Sequence, residues 1–112
     1  MMNILGLNLF KSKELRFASR SPSWSKIRKE YLKKYPCCAA CGRSNKVEVH
    51  HIKPVHTHPE KELDLDNLIT LCDSPCHIVF GHFMDYKSWN PKVIEDCMVY
   101  YNKYNNRPYK DF

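Results

Sequence analysis

Six cysteines and six histidines in 112 residues carry most of the chemistry open to this sequence. The cysteines fall as Cys37, Cys38 and Cys41, then Cys72 and Cys76, then Cys97 alone. Close pairs standing roughly thirty residues apart are spaced as metal ligands. Cys38-x-x-Cys41 with Cys72-x-x-x-Cys76 therefore reads as a closed four-thiolate site for a structural Zn²⁺. Cys37-x-x-x-Cys41 is the alternative first pair, but two intervening residues and the following Gly42 favour Cys38. A redox reading of Cys-x-x-Cys needs a βαβ surround, which the sequence lacks. Cys97 sits on an apolar helical stripe and reads as core.

The histidines offer a different chemistry. Val47 and Val49 alternate with Glu48 and His50, so this segment reads as a short strand ending in His50-His51. Adjacent strand residues point to opposite faces, so one imidazole can serve a metal and the other a substrate. His77 follows Cys76 directly, and if the cysteines pin helix to strand it is carried close to His50. Two imidazoles can hold a divalent ion with coordination positions left open, which is what distinguishes a catalytic from a structural site. His82 stands five residues after His77, off the i+4 position, and reads as a minor alternative ligand or a phosphate contact. His56 and His58 read as loop residues. A finger built from Cys38, Cys41, His51 and His56 is disfavoured. Nine residues separate its Cys and His pairs where about twelve are usual, and Pro54 interrupts the histidines.

Several elements must position these groups. Ser21-Pro22-Ser23 can open a helix, and Trp24, Ile27, Tyr31, Leu32 and Tyr35 recur at helical spacing up to Pro36, giving a helix over 22–35. Cys38 to Gly42 reads as a tight metal-binding turn with Gly available for a positive φ. Lys46–Ile52 is the first strand, 53–66 a polar loop and Leu68–Leu71 the second strand. Asp73-Ser74-Pro75 opens a helix over about 75–84. Asn90-Pro91 opens a third, whose Val93, Ile94, Cys97, Met98 and Tyr101 form an apolar stripe. The chain divides into a basic arm (1–19), a folded domain (20–104) and a polar tail (105–112). Its core is small, and below ~70–80 ordered residues a structural metal is a common staple.

Charge points to a polyanionic partner. The chain carries a formal +6, yet residues 11–46 hold eleven basic residues opposed only by Glu14 and Glu30. A one-sided basic field of this kind suits nucleic acid, bound through phosphates. Its bland counterpart is a solvated, Lys-rich helix face. No stretch approaches the ~18 apolar residues of a membrane span, and Ile4–Phe10 is too short for the core of a signal peptide. The expectation is a cytoplasmic protein with reduced thiols.

Val49-His50-His51-Ile52-Lys53-Pro54, then Asp66 to Cys72, then Cys76-His77, resemble an HNH endonuclease. More closely they resemble small phage and prophage HNH proteins with two cysteine pairs. Arg20-Ser-Pro-Ser-Trp24, Gly81-His82 and Trp89-Asn90-Pro91 fit the same resemblance, which spans roughly residues 20–95. It implies an α+β fold: a ββα-metal, treble-clef-like core stapled by zinc and flanked by helices. His51 matches the general base that activates water, and Asn67 the residue that orients it through the loop. His50 and His77 match the ligands of one catalytic divalent ion, Mg²⁺, Mn²⁺ or Ni²⁺. The implied substrate is DNA, cut at its phosphodiester bonds, with Arg20, Lys26, Arg28, Lys29 and Lys33 as candidate contacts.

Two departures stand out. The second cysteine pair has three intervening residues where the family commonly has two. His50 replaces the Asp of many relatives, which tilts metal preference toward transition ions. The alternative to an enzyme is a zinc-stabilised DNA-binding module, or a scaffold docking phage packaging proteins through its N-terminal arm.

Overall fold

The alternating segment at residue 47 and the apolar run at residue 68 are both short and rich in β-formers, and they pair with each other. In the computed structural model, which describes residues 20–105, they form β1 (Val47–His51) and β2 (Leu68–Cys72). The strands run antiparallel, in register from Val47 opposite Cys72 to His51 opposite Leu68. Helix α1 (Trp24–Lys34) precedes them, two short 3₁₀ turns lie in the loop between them, and α2 (Val93–Asn105) closes the described chain. The fold is a small α+β unit whose two strands and following helical turn make the expected ββα arrangement. The N-terminal arm, with Ile4–Phe10, and residues 106–112 of the expected tail lie outside the described residues.

Helix α1 starts at Trp24, whose N–H donates to Ser21 O (3.0 Å). The expected Ser cap takes another form. Ser23 makes no side-chain cap bond; instead Ser21 Oγ accepts the Ser23 N–H (3.1 Å). The helix docks on β2 through its polar edges: Tyr31 Oη donates to Leu68 O (2.9 Å) and Thr70 Oγ1 to Tyr35 O (2.7 Å). The turn after Pro36 is closed by Gly42 N–H on Cys38 O (2.9 Å), with Gly42 at φ +85°. That left-handed conformation is cheap only for glycine.

The core is built around β2, all of whose residues are buried. Ile52, Ile69, Leu71 and Val93 supply its aliphatic bulk, and Cys38, Cys72, Cys76 and Cys97 fill much of the rest. Cys97 is core, as expected.

Two elements differ from the sequence reading. The helix expected over 75–84 is a π-helical turn, His77–Gly81. On α2 only Val93 and Cys97 of the expected stripe are buried, while Ile94, Met98 and Tyr101 are exposed. Val93 and Cys97 meet the core, the neighbouring Ile94–Met98 row is turned about 100° away from it, and Tyr101 lies one turn beyond the core on the Val93–Cys97 row. Asn105, expected in the tail, ends α2 and donates from Nδ2 to Tyr101 O (2.9 Å). Among the described residues no helix is long and apolar enough to cross a membrane.

Candidate functional site

The first cluster joins the turn before β1 to the end of β2. Sγ atoms of Cys38, Cys41, Cys72 and Cys76 all lie within 4.8 Å of one another. Cys41 Sγ and Cys72 Sγ are 3.9 Å apart, close to the ~3.8 Å edge of a tetrahedron with 2.3 Å Zn–S bonds. Backbone N–H groups point at the sulfurs: Cys41 N donates to Cys38 Sγ (3.4 Å) and Cys76 N to Cys72 Sγ (3.5 Å). Burial opposes the Cys38 thiolate, but the Cys41, Cys72 and Ala40 amides outweigh it and bring the thiol down to about 7. Burial and the adjacent sulfurs push Cys76 up. A set in which one thiol ionises readily and its crowded neighbours resist is completed by a cation, and this cluster could bind zinc. The third residue between Cys72 and Cys76 does not prevent their convergence. Cys37 is exposed and outside the cluster.

The second cluster is formed by His50, His77 and His82, each offering one ring nitrogen within 4.8 Å of the others. His50 Nδ1 is 3.1 Å from His77 Nε2, which is 3.2 Å from His82 Nε2. The outer nitrogens are committed. His77 Nδ1 donates to Glu48 Oε1 (2.8 Å), and His82 Nδ1 to the Ser88 carbonyl (2.8 Å). A carbonyl or carboxylate oxygen only accepts, so both Nδ1 atoms carry protons and both Nε2 atoms are turned toward the cluster. His50 is buried, and its Nε2 has no partner. Burial, reinforced by the charges of His77 and His82, pushes His50 down to about 3. Burial also lowers His77 against the pull of Glu48. Converging imidazoles with carboxylate and carbonyl partners behind them are a donor set that could hold a divalent metal.

His82 enters the cluster because of the π-helical turn. On an α-helix a residue at i+5 lies about 140° round from residue i. The wider π turn, a single-turn feature frequent at functional sites, brings it back toward residue i. Asn90 secures this turn, its N–H donating to Gly81 O (3.0 Å) and its Nδ2 to Phe80 O (2.9 Å). Gly81 leaves room for His50: a Cβ there would lie 3.0 Å from His50 Cε1.

His51 points away from this cluster, as strand alternation requires. Its Nε2 donates to the Glu62 carbonyl (2.9 Å), which leaves Nδ1 as the lone-pair nitrogen. Burial lowers its pKa, while the Glu62 carbonyl opposes the shift. Its ring packs on Trp24 with centroids 4.4 Å apart. Asn67 is buried and bound entirely to the intervening loop. Its Oδ1 accepts from Lys53 N (2.8 Å), and its Nδ2 donates to Lys53 O (3.1 Å) and Lys61 O (3.2 Å). Asn67 therefore sets the loop that carries Glu62.

His50, His51, His77 and His82 line one open cleft of about 920 Å³. Of the expected nucleic-acid contacts, Arg20 and Arg28 line it, joined by Lys87; Lys26, Lys29 and Lys33 lie outside it, exposed on α1. His56 lines the cleft, and His58 packs edge-on to Trp89. The expectations did not include Glu48 as a partner of His77, although the shared strand face of Glu48 and His50 was its signal. Trp24 and Glu62 were also missed, because their contacts with His51 are long-range.

The family model for HNH endonucleases matches residues 38–78. That segment contains all four clustered cysteines together with His50, His51, Asn67 and His77; His82, Trp24 and Arg20 lie outside it. Neither the curated proteins nor the solved structures give a match to this chain.

Proposed function

We propose, from the HNH-family domain at residues 38–78, that the protein is a metal-dependent endonuclease hydrolysing DNA phosphodiester bonds. The nuclease unit spans residues 20–104, with a structural Zn²⁺ held by Cys38, Cys41, Cys72 and Cys76. The observation that carries this reading is the meeting, in one cleft, of two differently prepared histidine sets. One set turns three ring nitrogens toward a shared point; the other is a single imidazole whose Nε2 is held as donor to the Glu62 carbonyl.

His51 is the general base. Burial holds its pKa below the ordinary histidine value, so the ring is neutral at neutral pH and Nδ1 can take a proton from water. Asn67 positions this base through the loop. His50, His77 and His82 hold the catalytic ion, and Glu48 and Ser88 O orient two of them. The ion supplies Lewis acidity toward the scissile phosphate. An all-nitrogen set favours Mn²⁺, Ni²⁺ or another first-row transition ion over Mg²⁺. Arg20, Arg28 and Lys87 give the cleft positive charge for the DNA backbone, with Lys26, Lys29 and Lys33 adding phosphate contacts along α1.

The test is supercoiled plasmid incubated with the zinc-loaded protein and Mg²⁺, Mn²⁺ or Ni²⁺ in turn. Nicked or linear product that disappears with EDTA is expected. Intact plasmid with every ion overturns the reading.

A further inference from the structure

Residues 20–24 lie upstream of the family match, yet they enclose His51. The Arg20 guanidinium sits over the Trp24 ring, 5.5 Å from its centroid. The other contacts of Trp24 include the His51 ring, tilted 35° to it. The edge of His51 is tied to the Glu62 carbonyl. The Glu62 carboxylate returns to the start of the chain of contacts: its Oε2 accepts the Ser21 N–H (2.9 Å) and lies 3.9 Å from Arg20 Nε. Arg20, Trp24 and Glu62 close a circuit around the His51 imidazole. Glu62 is only 7% exposed, and the Ser21 N–H and Arg20 meet its buried carboxyl group.

Each link removes a different freedom. The Glu62 carbonyl selects which ring nitrogen carries the proton. The Trp24 face restricts rotation of the imidazole plane. Ser21 and Arg20 hold Glu62 from behind. Asn67 acts on the backbone after His51, through Lys53 and Lys61, whereas Trp24 meets the imidazole ring itself.

We propose that Trp24 and Arg20 are positioning residues for His51, holding its imidazole in the Nε2–H tautomer so that Nδ1 stays the accepting nitrogen. This rests on His51 being the base of the proposed reaction. It gives Arg20 a role that phosphate binding alone does not, since Ser21 N–H and Arg20 converge on a single carboxylate oxygen.

The test uses the full zinc-loaded chain and two readouts: the His51 tautomer from long-range ¹H–¹⁵N correlation spectra, and steady-state cleavage kinetics. The wild type is expected to show a single Nε2–H tautomer. Trp24→Leu is expected to show mixed tautomers and about a 10–10²-fold lower kcat, with KM within about two-fold. Trp24→Phe, which restores an aromatic face, is expected to recover the single tautomer and most of kcat. Arg20→Gln changes an exposed side chain, so it folds even if Trp24→Leu does not. It is expected to move both readouts in the same direction. A folded Trp24→Leu or Arg20→Gln with wild-type tautomer and kcat overturns the proposal, as does mixed tautomerism in the wild type. A wild type with one tautomer and no cleavage by any ion contradicts the nuclease reading and supports the clamp.

Discussion

His77 Nε2 and His82 Nε2 face each other at 3.2 Å. Both rings turn Nδ1 to an acceptor, the Glu48 carboxylate and the Ser88 carbonyl, which aims the two Nε2 atoms at one point. A divalent cation at that point would be coordinated by both. Glu48→Gln removes the carboxylate that fixes the His77 tautomer, and about a 10–100-fold loss of divalent-ion affinity is expected. His82→Ala, which deletes a donor outright, should lose more. Co²⁺ titration of zinc-loaded protein, followed by its visible absorption, measures both, and unchanged affinity in His82→Ala removes that residue from the ligand set.

Gly81 should tolerate no side chain. A Cβ there would press on the His50 ring, with Cε1 3.0 Å and Nε2 3.1 Å from where that atom would lie. The ring is buried, so it has little room to yield. Gly81→Ala is expected to cost about 1–3 kcal/mol of stability by overpacking and to weaken Co²⁺ binding as His50 is displaced. Urea denaturation and the same titration check the two parts.

Asn67 makes three loop hydrogen bonds and has no polar atom left over. Asn67→Ala leaves the Lys53 and Lys61 carbonyls without their donor, a loss of about 1–3 kcal/mol. Asn67→Asp is expected to be worse, since an acceptor then faces two acceptors. Equal stability of the two variants in urea would contradict this account of the loop.

Zinc removal should unfold the domain. The core has few large aliphatic groups, and three of the four clustered cysteines are among its buried residues. A structural zinc contributes on the order of 10–16 kcal/mol of apparent binding free energy, which is large against a net stability of about 5–15 kcal/mol. Cys72→Ala, or chelation of the wild type, is expected to abolish the cooperative thermal transition seen by circular dichroism. A transition of unchanged midpoint without bound zinc would show that the aliphatic core suffices.

Much of this site is written locally in the chain. Ligand spacing exposed the four cysteines, and strand alternation separated His50 from His51, because both signals have a period of only a few residues. His82 was legible as a residue but not as a member of the cluster. Its inclusion depends on a π turn that no local propensity announces and that the Asn90 contacts to Phe80 and Gly81 maintain. Ile94, Met98 and Tyr101 of the expected α2 stripe are exposed for a related reason: periodicity marks an apolar face but not how much of it finds a partner. The enclosure of His51 by Trp24 and Glu62 joins segments far apart in sequence, so only the folded chain displays it.

The central claim, that His51 is the base and not part of the scaffold, is tested by His51→Ala in the supercoiled-plasmid assay, with zinc content and melting measured on the same preparation. The account predicts full zinc occupancy, a cooperative melt and loss of nicked and linear product. Cleavage at the wild-type rate, or loss of zinc and fold together with activity, would contradict it.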